Sequence, residues 1–236
     1  MKYIFNQFQG LGDILFCEPI AKKLWKNGEN EIFWPINSEF IWLKEYFPYI
    51  NFVDMNYFVF DYESTHFGII KNDIFSIPLR FANPIVRKLK LNDYSQNYHC
   101  MLDKYRLLNL PLDMWKTMTW KRNHVKENEL FQHLIKKEKY ILVNTFFSGG
   151  EIDITTNNPQ NYQIVNMKKE NGYTLLDWAK IIENATEIHT VATSNLFLIE
   201  TLLIKAENVF LYLRKPNEKD FDGISEFVNK NFILIN

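Results

Sequence analysis

Lys2-Tyr-Ile-Phe-Asn-Gln-Phe-Gln-Gly-Leu-Gly-Asp-Ile-Leu-Phe-Cys-Glu-Pro19 is the stretch whose reading decides the fold. The apolar run from Tyr3 to Phe8 predicts a buried strand. It stops at Gly10-Leu11-Gly12-Asp13, and a helical pattern follows to about Lys26. A strand, a glycine turn and a helix opening bring backbone amides and one carboxylate up to a ligand. Asp13 stands at that mouth and is the residue suited to chemistry. The pattern lacks the third glycine of a dinucleotide fingerprint and the Lys-Ser/Thr ending of a Walker loop. An acid in the first turn of an ordinary helix is the plainer reading, and one residue can hold both roles.

Outward from this stretch, strands and helices alternate. Asn27-Gly28 predicts the helix stop, Glu31 to Ile36 a second strand, and Ser38 to Phe47 a short helix. Asn51 to Met55 and Phe58 to Tyr62 read as strands, and Ser76 to Leu110 as a helix in two pieces. Met118 to Lys121 reads as a short strand. After the charged segment Arg122 to Glu138, a second series begins with Tyr140 to Phe146. It continues with Gln163 to Met167, a helix capped by Thr174, Glu187 to Ala192, and a helix capped by Thr193 or Ser194. Asn208 to Leu213, a helix from Asp220 to Lys230, and Phe232 to Ile235 complete it. This alternation predicts an α/β chain with mostly parallel sheets. The expected domains are residues 1–124 and 139–236, joined by a connector helix over 125–138.

Bulk properties narrow the function. The chain has 236 residues, a net charge of −1 and a hydrophobic fraction of 47%. No global field points to nucleic acid. No secretory leader and no membrane-spanning run is recognisable, so a cytoplasmic setting is expected. Two cysteines, Cys17 and Cys100, and five scattered histidines give no metal-ligand spacing, so no metal site is expected.

Two further segments carry candidate binding residues. Ile188-His-Thr-Val-Ala-Thr-Ser-Asn195 ends a strand and opens a helix with Thr193, Ser194 and Asn195, a pattern suited to a diphosphate and equally to a plain capped helix. Glu200, in an otherwise apolar run, suits a ribose contact or a solvent-facing point. Asn144-Thr145-Phe146-Phe147-Ser148-Gly149-Gly150 ends a strand in a glycine loop, where open α/β sheets bind ligands.

The spacing Gly10-x-Gly12-Asp13, then Pro19 and Leu24, resembles the opening of the heptosyltransferase-like glycosyltransferases, glycosyltransferase family 9. Thr174-Leu-Leu-Asp-Trp-Ala-Lys-Ile-Ile-Glu-Asn-Ala-Thr-Glu-Ile-His-Thr-Val-Ala-Thr-Ser194 resembles their donor-domain helix, strand and turn. The resemblance implies a GT-B fold, two Rossmann-like domains facing a cleft. The first would bind a glycan, lipid-linked or protein acceptor and the second a nucleotide-sugar, with no metal or other cofactor. It implies an inverting hexosyl- or heptosyltransferase in which Asp13 is the base beside Gly10 and Gly12. Asn144, Thr145, Thr193, Ser194, Asn195 and Glu200 would meet the donor. Where the family turn has an aspartate this chain has Ala192, and Phe147 to Glu151 holds no lysine. A non-catalytic shell that binds a nucleotide or sugar stays open, as does, more remotely, a nicotinamide-dependent oxidoreductase.

Overall fold

The computed structural model describes residues 1–8, 10–57, 65–71, 73–89, 101–158, 160–214 and 232–235. They form two compact units, Met1–Lys121 and Arg122–Asn236. The strand expected over Phe58 to Tyr62 and the helix over Asp220 to Lys230 lie outside the described residues.

In the first unit, β1 (Lys2–Phe5) passes through Gly10 into α1 (Leu11–Trp25). Helix α1 runs on through the buried Pro19. It ends where Lys26 and Asn27 turn left-handed at φ 48° and 56°. Next come β2 (Glu31–Ile36), a 3-10 turn over Ser38–Glu45, and β3 (Ile50–Asp54). They are followed by β4 (Gly68–Lys71), β5 (Ile74–Ile77), α2 (Ala82–Lys88) and α3 (Asp103–Arg106). The sheet order is β3-β2-β1-β5-β4, parallel except for β4 against β5.

Two expectations fail here. The helix predicted from Ser76 begins instead as strand β5, because a short apolar run ended by a proline does not separate strand from helix by period. Met118 to Lys121 forms no strand. The Thr119 amide goes to the Glu18 carboxylate and the Lys121 amide to the Tyr46 carbonyl, so the segment joins no ladder.

The second unit begins with α4 (His124–Leu134), then β6 (Tyr140–Asn144), β7 (Phe146–Phe147) and β8 (Gly150–Glu151). It continues through β9 (Gln163–Asn166), α5 (Ala179–Asn184), β10 (Glu187–Val191), α6 (Asn195–Thr201), β11 (Asn208–Tyr212) and β12 (Phe232–Ile235). Its sheet, β12-β11-β10-β6-β9, is parallel throughout, and β7 and β8 form a separate hairpin.

Each unit has its own core. In the first, Trp34 is fully buried between Phe5 and Phe52, and its indole N–H donates to the Gln7 carbonyl at 2.7 Å. In the second, Tyr140 is fully buried with its hydroxyl on the Ile181 carbonyl at 2.7 Å. Burying such a ring contributes about 1.5–3 kcal/mol, provided its polar end finds a partner.

Candidate functional site

In the first sheet the order reverses at β1: β2 and β3 lie on one side, β5 and β4 on the other. Loops leaving the carboxyl ends of β1 and β5 therefore diverge, and a crevice opens between them. A pocket of about 310 Å³ lies there, lined by Gln7, Gly10, Asp13, Arg80, Asn83, Met101 and Lys104.

Asp13 occupies the first turn of α1, with its side chain 38% exposed. The ammonium of Lys104, only 5% exposed, donates to Asp13 Oδ1 and also to Gln7 Oε1 at 3.0 Å. Asp13 Oδ2 points back at Gly10, where a Cβ would stand 2.6 Å from it. Gly10 also has φ +79°, so the position excludes side chains on two grounds. Gly12 lies within α1 rather than in the turn, so of the expected glycine pair only Gly10 adopts turn geometry. Next to Lys104, the fully buried Asp103 accepts from Asn83 Nδ2 at 2.6 Å and Arg106 Nη1 at 2.9 Å. Arg80 rests over the Phe8 ring at 4.8 Å on another wall. Lys104, Gln7, Arg80 and Asn83 carry no sequence signal, since a buried lysine in a helical stretch reads like a surface one.

Helix α1 is anchored behind the pocket. Glu18 is 1% exposed, accepts from the Tyr49 hydroxyl, and accepts from the Thr119 amide at 3.3 Å. Burial pushes its carboxyl up to about 7, against the opposing Tyr49 hydrogen bond, the Lys22 charge and the Thr119 amide. Burial likewise pushes the Cys17 thiol up to about 12, which keeps it unreactive.

In the second sheet β6 lies between β9 and β10, so the reversal falls at β6. Asn144 ends β6 and donates to Thr190 Oγ1 at 3.2 Å and to the Phe146 carbonyl at 3.3 Å. Thr145 donates to Glu151 Oε1 at 2.8 Å, across the β7-β8 hairpin. Thr193 and Ser194 are half-buried after β10; Ser194, one of the two expected positions, is the N-cap residue of α6, though its side chain makes no cap hydrogen bond. Asn195 is 2% exposed; its Nδ2 contacts Met167 Sδ at 2.8 Å and its Oδ1 is buried without a hydrogen-bond partner among the described residues. Glu200 lies five residues further along α6, roughly 7.5 Å of helix rise from the turn. The structure thus gathers Thr193, Ser194 and Asn195 into one turn and leaves Glu200 away from it.

His189 is a satisfied core residue: Tyr212 and Glu187 engage its two nitrogens at 2.7 Å each, and Phe210 stacks on it. Arg122, in the basic segment before α4, binds Glu127 and Glu183, which occupies it inside the unit. Among the described residues no group of three or more His, Cys, Asp or Glu is arranged to hold a metal ion, and no helix is long and apolar enough to cross a membrane.

No protein-family profile and no curated protein matches the chain. Solved structures do. TibC, described as an iron-containing dodecameric glycosyltransferase from enterotoxigenic E. coli, aligns over 90% of this chain and 57% of its own, with 11% identity and a TM-score of 0.52. The chain thus spans little more than half the length of TibC. A family 9 glycosyl transferase from Veillonella parvula aligns over 99% of this chain and 86% of its own, with 10% identity and a TM-score of 0.48. E. coli heptosyltransferase WaaC, bound to ADP-2-deoxy-2-fluoro heptose, aligns over 100% and 93%, with 10% identity and a TM-score of 0.47. The likeness to TibC concerns the fold: this chain carries two α/β units with mostly parallel sheets that align on that structure.

Proposed function

We propose that this protein is a glycosyltransferase that moves a sugar from a nucleotide-activated donor to an acceptor hydroxyl, with inversion and without a metal ion. The observation that carries this reading is Asp13 on the wall of the switch-point pocket, one oxygen held by Lys104 and the carboxylate open to solvent. Lys104 and Gln7 fix its orientation, and the bare Gly10 leaves room for its second oxygen. Asp13 accepts the proton of the acceptor hydroxyl as its oxygen attacks the anomeric carbon, a contribution of about 10²–10⁴ in rate. The donor falls to the second unit, at Asn144, Thr145, Thr193, Ser194 and Asn195. The acceptor is a glycan, a lipid-linked sugar or a protein, in the cytoplasmic setting expected from the sequence.

The test is a panel of ADP, UDP, GDP and CMP sugars, ADP-heptose included, read by thermal shift and by donor consumption with mixed acceptors. Stabilisation by one nucleotide class together with consumption supports the transferase. A non-catalytic shell is the second reading. It is favoured by Asn144, Thr145 and Asn195 making their contacts inside the unit. It predicts stabilisation with no consumption.

A further inference from the structure

We propose that Arg214 is the cation of the second unit's site and grips the diphosphate of the donor. This inference rests on the nucleotide-sugar reading above and names the group that meets the donor's charge.

Three loops meet at Arg214. It follows β11 by two residues, and its Nε donates to the Ala192 carbonyl at 2.5 Å. Ala192 directly follows β10 and precedes Thr193. The Arg214 guanidinium also lies over the Phe147 ring, 5.8 Å from its centroid. Phe147 comes from the hairpin that leaves β6. Gly149 makes room for that ring, since a Cβ there would stand 2.9 Å from Phe147 Cε2. The carboxyl ends of β6, β10 and β11 thus converge on one side chain, at the edge where parallel sheets take ligands.

This restraint has a chemical consequence. A guanidinium carries five N–H donors in a planar fork. Ala192 takes the Nε edge and Phe147 covers one face. The Nη1 and Nη2 edge remains, on a residue exposed to solvent. Among the described residues no carboxylate forms an ion pair with it. Two parallel N–H donors held in place match two phosphate oxygens, and prior restraint reduces the entropy lost on binding. In the transfer, the bond between the anomeric carbon and the phosphate oxygen breaks and its electron pair goes to that oxygen. The acceptor oxygen bonds to the carbon and its proton goes to Asp13. Arg214 meets the charge that grows on the leaving diphosphate.

The test titrates nucleoside diphosphates, the matching nucleosides and inorganic pyrophosphate into the wild type, Arg214→Lys, Arg214→Gln and Arg214→Ala, by calorimetry. Melting curves of each variant confirm folding. Affinity for the diphosphate should fall at least about tenfold in Arg214→Ala and Arg214→Gln while nucleoside affinity stays put, and Arg214→Lys should recover part of the loss. A role confined to tethering the loops would weaken nucleoside and diphosphate alike, or neither, and either pattern overturns the proposal. Unchanged diphosphate binding in a wild type and variants that all consume donor overturns Arg214 and spares the transferase. A wild type that binds no nucleotide overturns both.

Discussion

Asp13 and Lys104 are 91 residues apart in the chain and joined in the pocket. Asp13 was legible because it follows a glycine turn after an apolar run. Lys104 was not, because nothing in a local pattern tells a lysine whose ammonium is buried on a distant carboxylate from one in water. Glu18 shares this property: by sequence it is one more acid on α1, in the fold a buried anchor. Its folded carboxyl ionises near 7 and its ordinary value is 4.5. The folded state therefore holds a proton that the unfolded chain releases, and stability falls as pH rises from about 4.5 to about 7. The integrated loss from Glu18 is about 3 kcal/mol. Urea melts of the wild type and Glu18→Gln at pH 5 and pH 8 measure it: the variant should gain relative to the wild type at pH 8 by an amount of that order. A difference independent of pH would show that Glu18 is ionised throughout.

At the scale of elements, β2 and β12 have the bounds their sequence predicts, and β3, β10 and β11 come within a residue. Their branched and aromatic runs are closed by turn residues, so local signal and burial agree. The second half of β5, Ser76 and Ile77, falls in the predicted helix because a four-residue strand is too short to show a period. The charged segment before β6 looked solvated, yet Arg122 ties α4 to α5 through Glu127 and Glu183. Glu127 is 1% exposed, so removing Arg122 leaves a buried carboxylate with only the exposed His124 imidazole, 3.7 Å away, beside it. Arg122→Ala should destabilise the second unit by about 3 kcal/mol, with a smaller loss for Arg122→Lys. Chemical denaturation monitored in that unit measures it, and a loss under about 0.5 kcal/mol would mean the fork is a surface pair.

At the scale of the molecule, each unit turns one sheet reversal into one candidate site: the pocket beyond β1 and β5, and the turn beyond β6 and β10. The alternation of strands and helices announced both sheets, and the Gly10 and Thr193 segments lie at the two candidate sites. The cations were hidden, because Lys104 and Arg214 reach their sites only through the packing of distant segments. The account stands on Asp13 as the proton acceptor in sugar transfer. Its most direct test is donor consumption by the wild type and by Asp13→Asn, with a donor and acceptor the wild type turns over. The variant should fold and bind nucleotide as the wild type does while losing about 10²–10⁴ in kcat. Undiminished turnover by Asp13→Asn would contradict the account.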